Sequence, residues 1–208
     1  MHGHFIRIIC GGKQMNYIRK VPGDKLYLSP ILINPNSVKK FMSWYNKLDF
    51  SLRLFPEDKI FSLEEGKEKL QELSRGKYNF AIVSDTNNEL IGFCGLKVIS
   101  QQQRIGELSF IFIGDDNYQN RGLGEESVKL LLAYGFEIIN FHNIMLKVFA
   151  FNKSAIRCYK KCGFKQAGRI RNFKKVGQER YDDIMMDILA KEYYKDINYN
   201  IVDSDLRH

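Results

Sequence analysis

The sequence predicts a single mixed α/β domain, in which helices flank one sheet, and three observations support this fold class. Strand-like and helical segments follow the order strand, two helices, three strands, helix, strand, helix, two strands, as expected for a layered sheet covered by helices. Hydrophobic residues make up 44% and charged residues 27% of the 208 positions, which is typical of a globular domain. No repeat, low-complexity tract or linker-like stretch divides the chain.

The first half of the chain contains two helix-start signals. Asn36 or Ser37 can cap a helix whose apolar residues share one face. Ser62 and Glu65 form a capping box, in which each side chain can bind a backbone amide of the first turn. The elements expected here are a strand over 24–33, helices ending near Tyr45 and Ser74, and strands over 78–84 and 89–99.

The second half is centred on a strand predicted over Ile105–Ile113. Alternation places one set of its side chains on one face (Glu107, Ser109, Ile111, Ile113) and the other set on the opposite face (Leu108, Phe110, Phe112). A helix from Gly122 follows, with a predicted buried stripe of Val128, Leu131, Leu132, Gly135, Ile138 and Ile139. The remaining expected elements are a strand over 143–150, a helix over 152–162 capped by Asn152 and Gly163, and strands over 164–176 and 179–189 joined at Gly177.

The two ends are expected to lie outside the domain, which we place at 15–194. The apolar piece Phe5–Cys10 is too short and too charged for a signal peptide. Gly-Gly-Lys-Gln before Met15 could be a translated ribosome-binding site, which predicts that translation starts at Met15 and that residues 1–14 are not native. An extra strand over 4–10 is the alternative. The charged residues from Lys191 onward are expected to be loosely held, with 195–208 as a tail.

Charge and cysteine usage limit the partners and the compartment. The net charge of +8 favours an anionic partner, such as a nucleotide, a nucleic acid or an acidic surface. The four cysteines lack disulfide-framework spacing; Cys158 and Cys162 lie four apart on a predicted helix without histidine partners, so we expect free thiols and no metal. These features predict a reducing, cytoplasmic location. No apolar run reaches the roughly 18–20 residues that span a bilayer.

Gln119-Asn-Arg-Gly-Leu-Gly124 is predicted to bind a phosphate-containing anion. Gly122 and Gly124 allow close backbone approach at a helix start, whose free amides favour phosphate, and Arg121 adds positive charge. A Walker loop would need Gly-Lys-Ser/Thr, which is absent. A dinucleotide-binding loop would need a third glycine where Ser127 stands and an acid after the next strand, where Ala150-Phe-Asn152 has none.

A second motif, Asn152-x-x-Ala155-x-x-x-Tyr159-x-x-x-Gly163-Phe164, follows this loop. Together the two motifs resemble the GNAT family of N-acetyltransferases over roughly 15–194. Flanking residues resemble the subgroup that contains ribosomal-protein N-terminal acetyltransferases and spermidine acetyltransferases. They are Trp44-Tyr-Asn46, Ser62-Leu-Glu-Glu65 and Gly177-Gln-Glu-Arg180-Tyr-Asp-Asp183. The resemblance implies a GNAT-like domain with a mostly antiparallel central sheet.

The resemblance also implies the cofactor, acetyl-CoA, and the residues that bind it. The loop would hold the pyrophosphate through Gln119, Asn120, Arg121, Gly122, Leu123 and Gly124. Phe112, Ile113 and Gly114 would pair with the pantetheine amides as an added strand pairs with a sheet edge. Asn152 would contact the cofactor, and Tyr159 would protonate the departing thiolate.

The acceptor half of the site is less defined by the sequence. Glu107 is the candidate base, since it precedes the cofactor-binding segment on the same strand, with a structural carboxylate as the alternative. Ser109 is expected to share its face and orient a water. The acceptor wall is expected from residues 45–61 and 173–181, with candidate acids at Asp49, Glu57, Asp58, Asp182 and Asp183.

These observations predict an acetyl-CoA-dependent N-acetyltransferase that acts on a primary amine. The amine could belong to a protein N-terminus, a polyamine or a small molecule, and a homodimer stays open. A non-catalytic acyl-CoA sensor is the main alternative, although Tyr159 argues against it. A nucleic-acid-binding domain is not expected, because lysines occur only in short runs such as Lys174-Lys175. No membrane partner is expected either.

Overall fold

A computed structural model describes residues 17–47, 61–176 and 178–195. The predicted N-terminal extension, the turn at Gly177, the tail beyond 195 and the candidate acids at Asp49, Glu57 and Asp58 lie outside these residues. The described elements are β1 (Val21–Pro22), β2 (Leu26–Pro30), α1 (Pro35–Tyr45), α2 (Leu63–Arg75), β3 (Tyr78–Ser84), β4 (Leu90–Ser100), β5 (Ile105–Ile113), α3 (Leu123–Ala133), β6 (Asn143–Phe149), α4 (Lys153–Lys161), β7 (Lys165–Val176) and β8 (Glu179–Leu189).

The helix caps show how local sequence set these bounds. Ser62 and Glu65 form the predicted capping box at the start of α2. At α1 the cap is Asn34, and not Asn36 or Ser37 as predicted from the sequence. Its side chain accepts hydrogen bonds from both of those backbone amides, at 3.0 and 2.9 Å. Pro35 explains the shift, because proline favours the first position of a helix, immediately after the cap.

The sheet has eight strands in the order β1-β2-β3-β4-β5-β6-β8-β7, and β5 with β6 is its one parallel pair among the described residues. That parallel pairing covers Ile105–Glu107 against Asn143–Met145. In the described structure no further pairing joins the two strands beyond these residues, so the sheet opens into a gap between them. This mixed α/β sheet, mostly antiparallel and flanked by helices, confirms the predicted fold class.

Helices cover both faces of the sheet. One core contains buried residues of α3 and α4, such as Leu131 and Tyr159, and we call this side the α3 face. The other core contains residues of α1 and α2, such as Phe41 and Leu70, and we call this side the α1 face. None of the helices in the described part of the chain is long and apolar enough to cross a membrane.

The face pattern predicted for β5 is wrong because the strand contains a β-bulge. Gly95 pairs with Phe110 and Leu96 with Leu108, so Ser109 is the extra residue. Leu108 therefore joins the α3 face together with Ile111 and Ile113, while Phe110 and Phe112 belong to the α1 face. Glu107, next to Leu108, consequently lies on the α1 face, away from Ile111 and Ile113.

The buried stripe predicted for α3 is also wrong at its end. Residues Tyr134–Ile138 form a π-helical turn, which inserts one residue and rotates the following side chains. As a result Ile138 is 69% exposed, and Phe136 is buried in its place. The predicted burial of Val128, Leu131 and Leu132 is confirmed.

The residues after β8 are more ordered than expected. Residues 190–195 are helical, and Tyr193 packs on Phe136 with ring centroids 4.9 Å apart. The Tyr193 hydroxyl donates to Glu137 at 2.6 Å. The expectation that the chain is loosely held from Lys191 is therefore wrong for 191–195, since these residues brace the π-helical turn.

Candidate active site

A cavity of about 380 Å³ lies beside the end of β5, beyond its pairing with β6, and we call it the central cavity. Seven of the residues predicted to form the site line it: Phe112, Ile113, Gly114, Gln119, Gly124, Asn152 and Tyr159. They come from β5, the following loop, the first turn of α3, and α4 with its N-cap. The structure thus brings both sequence motifs to one space.

The loop before α3 exposes backbone toward this cavity. Asn120 and Gly122 both have left-handed backbones, with φ of 57° and 80°. Gly122 is the N-cap of α3 and provides no side-chain cap, so the first amides of the helix stay available for an anion. A Cβ at Gly122 or Gly124 would meet no atom within 4 Å. The backbone there is open to a ligand of some bulk.

Three loop side chains have distinct surroundings. Arg121 lies over the ring of Tyr118, with its guanidinium carbon 5.9 Å from the centroid. The Leu123 side chain is buried in the α3-face core, so only its backbone can contact a ligand. Gln119 donates from Nε2 to Asp116 at 3.0 Å, which fixes its orientation beside the cavity.

Lys47 and Asp116 also line the central cavity, and sequence reasoning missed both. The Lys47 ammonium binds the Asp116 carboxylate at 2.6 Å, joining the end of α1 to the loop after β5. Both side chains are exposed, so the pair contributes little to stability. No motif links residues this far apart in the chain, which left no signal for them.

Asn152 is the N-cap of α4, as predicted. Its Oδ1 accepts hydrogen bonds from the Ala155 amide at 3.2 Å and from the Ser154 hydroxyl at 3.0 Å. Both bonds use the oxygen, so the Nδ2 group is the part of the side chain left to donate to a ligand.

Tyr159 is buried on α4 and reaches the central cavity. Its ring packs edge-on against Phe164, with centroids 5.8 Å apart. Burial raises the pKa of Tyr159 well above its ordinary value, and the neighbouring Cys158 and Cys162 thiols add to the increase. No described side chain hydrogen-bonds to its hydroxyl. The phenol is therefore protonated at neutral pH and free to donate.

The thiols that accompany Tyr159 fit the sequence prediction. Cys158 and Cys162 are free, and Cys158 lines the central cavity. Across the described residues, no cluster of three or more histidine, cysteine or acidic side chains could hold a metal ion.

Glu107 lies at the closed end of the gap rather than in the central cavity. It pairs with Met145 in the last parallel position before β5 and β6 separate, and with Lys97 on the other side. The bulge places it on the α1 face, opposite α4. Ser109 instead donates its hydroxyl to the Gly95 carbonyl at 3.1 Å. The structure therefore does not bring Glu107 and Tyr159 into one cavity.

An open seam beside a parallel strand pair, with an uncapped helix start nearby, suits a ligand that has an anionic group and an extended arm. The model of the acetyltransferase (GNAT) domain family matches residues 32–185. The chain therefore belongs to the GNAT acetyltransferase family, as the two sequence motifs predicted.

Individual relatives are more distant. The chain is 32% identical over 114 residues to a spermidine N(1)-acetyltransferase from Vibrio cholerae, covering 54% of this chain and 64% of the relative. It is 29% identical over 114 residues to an uncharacterized N-acetyltransferase, p20, from Bacillus licheniformis, covering 55% and 63%. The alignments thus span less than two thirds of these two curated relatives.

Solved structures agree on the fold. An acetyltransferase of the GNAT family from Bacillus anthracis superimposes with a TM-score of 0.71 at 20% identity, over 83% of this chain and 99% of that one. A spermidine N-acetyltransferase from Vibrio cholerae, crystallised with CoA and spermine, gives a TM-score of 0.70 at 24% identity, over 82% and 98%.

Proposed function

We propose that this protein is an acetyl-CoA-dependent N-acetyltransferase that transfers acetyl directly to a primary amine. The observation that carries the proposal is the central cavity itself. It combines helix-start amides for an anion at its mouth with a buried, protonated phenol on its wall. A bound thioester whose leaving group needs a proton fits both features.

The chain's own groups fit the cofactor along its length. The first amides of α3 and Arg121 suit a diphosphate. Beyond Glu107 the edge of β5 that faces the gap has no partner strand in the described structure. Residues 112–114 can therefore pair with the amides of a pantetheine arm, as a sheet edge pairs with an added strand. The Nδ2 group of Asn152 supplies a further donor.

The transfer needs no covalent enzyme intermediate. The amine lone pair attacks the thioester carbonyl, a carbon–nitrogen bond forms, and the carbon–sulfur bond breaks. The departing thiolate takes a proton, which Tyr159 would donate. A thiol has a pKa near 8.5 and a phenol one near 10, so proton donation is close to matched for an ordinary phenol. The burial that raises the pKa of Tyr159 keeps the phenol protonated but makes it a weaker acid toward sulfur.

The amine must lose a proton as well. An alkylamine has a pKa about 3 units above neutral, so its deprotonation at pH 7 costs roughly 4–5 kcal/mol. We propose Glu107 as the base, acting through water, because it lies on the α1 face where the gap closes. Since α4 covers the α3 face, the acceptor would approach from the α1 face, where Glu107 lies.

The acceptor amine is open to three classes. The names of two relatives from different bacteria, both spermidine N(1)-acetyltransferases, support a polyamine. A protein N-terminus and a small amino compound remain alternatives. Cytoplasmic location and a homodimer stay predictions.

The test is thiol release from acetyl-CoA with a panel of amines, with acetylated products identified by mass spectrometry. The panel should contain diamines and polyamines, short peptides with free N-termini, and small amino compounds. We expect release with at least one of these classes. Tight acetyl-CoA binding in calorimetry without release for any amine would favour the non-catalytic sensor and contradict this proposal.

A further inference from the structure

Two neighbouring aspartates of β8 differ in their hydrogen bonding in the structure. Asp182 accepts a hydrogen bond from the Asn172 amide at 2.8 Å and forms a salt bridge with Arg169. Asn172 has a left-handed backbone at an irregularity of β7. Asp182 is therefore committed to holding the β7–β8 hairpin in shape.

Asp183 has no comparable structural role. It is only 2% exposed, and its Oδ1 has no hydrogen-bond partner among the described residues. Burial raises the pKa of Asp183, which Lys147 partly opposes, but no salt bridge joins these two side chains in the described structure. A buried carboxylate oxygen without a partner is unfavourable for the free protein, and such groups concentrate at functional positions.

The position of Asp183 in the sheet is close to the gap. It pairs directly with Phe149 of β6, the strand that forms one wall of the gap. Ile184, Met186 and Ile188 of β8 belong to the α3-face core, so Asp183 lies on the α1 face. This is the face that carries Glu107 and from which the acceptor amine would approach.

Aromatic rings surround this position. Phe149 stacks on Phe151 with centroids 5.4 Å apart, and Phe151 packs edge-on against Tyr181 at 4.8 Å. The Lys174 ammonium lies 4.8 Å from the centroid of Phe149, so a cation of the protein already lies over one face of this ring. Aromatic faces combined with a carboxylate are the groups that bind such cations in proteins.

We propose that Asp183, together with Phe149 and Tyr181, forms a subsite for a second positive charge on the acceptor. This inference rests on the proposed function, and it narrows the acceptor class to amines that carry another cationic group. The subsite also offsets the overall charge of +8, which would otherwise repel such a substrate. The incoming ammonium supplies the partner that the Asp183 carboxylate lacks.

The test compares ligands that differ only in the second charge. Calorimetry with CoA-bound protein, which cannot turn over, would use 1,4-diaminobutane against 1-aminobutane, and 1,6-diaminohexane against 1-aminohexane. For at least one chain length we expect wild type to bind the diamine roughly ten-fold or more tightly than the monoamine, as for a charged hydrogen bond. In Asp183→Asn this preference should disappear while monoamine binding stays unchanged.

Asp182→Asn is the matched control, because it removes the same charge one residue away on the opposite side of the strand. It should lower Tm but keep the diamine preference. Asp183→Asn should leave Tm unchanged or raise it when no amine is present, since it removes a buried unpaired carboxylate.

Equal binding of diamines and monoamines to wild type at both chain lengths would overturn the inference, whether or not the Asp183 variant folds. A preference that persists in Asp183→Asn would overturn it too. Thiol release together with either of these results would refute the subsite alone, whereas no release with any amine would refute the proposed function.

Discussion

At the residue scale, the environment of Tyr159 suits a proton donor. The ring packs against Phe164, and Tyr159 lines the central cavity. The hydroxyl group can therefore be removed without disturbing the packing that holds the ring.

Tyr159→Phe should lower kcat roughly 10²-fold or more, a typical effect of losing a general acid. The affinity for acetyl-CoA should change little, because the proposed diphosphate and pantetheine contacts lie elsewhere. Steady-state thiol release and cofactor titration would measure the two quantities. Turnover equal to wild type would remove the acid role from Tyr159.

The pH profile of the same pair of proteins provides a check. Burial raises the pKa of Tyr159, so the phenol stays protonated beyond its usual range near 10. Wild-type kcat/KM should rise with pH as the amine loses its proton, and should show no decline at or below about pH 10 from loss of the acid. A decline within that range that is absent in Tyr159→Phe would contradict this assignment.

At the element scale, two glycines at the start of α3 allow an effect on stability to be distinguished from an effect on acetyl-CoA binding. Gly124 is helical and its missing Cβ would meet nothing, whereas Gly122 has a left-handed backbone. Gly124→Ala should therefore leave the free energy of unfolding unchanged or raise it by up to about 1 kcal/mol. It should still weaken acetyl-CoA binding, because the methyl group would occupy space next to the helix amides. Thermal unfolding and cofactor titration would measure these two effects.

Gly122→Ala is the companion variant. A side chain at positive φ costs roughly 1–2 kcal/mol, so this variant should lose both stability and cofactor affinity. If Gly124→Ala bound acetyl-CoA as tightly as wild type, the helix-start amides would not be the diphosphate site.

How far the sequence predicted these elements depended on whether the signal was local. The Ser62 capping box, the Asn152 cap and the bounds of β5 came from neighbouring residues, and all are confirmed. The bulge at Ser109 depends on pairing with β4, and the π-helical turn contacts residues 190–195, which are distant in the sequence. Neither irregularity can be recognised from the hydrophobic periodicity of its own segment. The predicted faces of Leu108 and Ile138 were therefore wrong.

Prediction of the site residues was limited in the same way, because some signals are not local in the sequence. The two motifs, together with the family resemblance that they indicate, located seven of the residues that line the central cavity. Lys47 was missed because α1 meets the loop after β5 only in the folded chain. Glu107 was expected on the face of Ile111, and one inserted residue in the ladder put it on the other side.

At the scale of the whole molecule, the helical turn over 190–195 links the segment that follows β8 to the π-helical turn that follows α3. Tyr193→Ala should lower the free energy of unfolding by roughly 1–3 kcal/mol, since it removes the contact with Phe136 and the bond to Glu137. Tyr193→Phe, which keeps the ring, should cost about 1 kcal/mol. Chemical denaturation would measure both, and an unaltered Tyr193→Ala would mean that the turn does not brace the domain.

The contribution of the Tyr193 hydroxyl to the free energy of unfolding should decrease at high pH. Burial, followed by the hydrogen bond to Glu137, raises the pKa of Tyr193. Its folded pKa thus exceeds the unfolded value near 10, so its contribution is complete below about pH 10 and decreases as the pH rises further. The difference between wild type and Tyr193→Phe should shrink in that alkaline range.

The short pairing between β5 and β6 bears on how substrates would enter the site and how products would leave it. Because only three residue pairs close one end of the gap, no backbone pairing between β5 and β6 separates the two faces of the sheet along the rest of the seam in the described structure. In the proposed reaction the donor enters past the start of α3 and the acceptor enters across the α1 face. Each product then has its own exit, and an amide product can leave without waiting for the spent thiol.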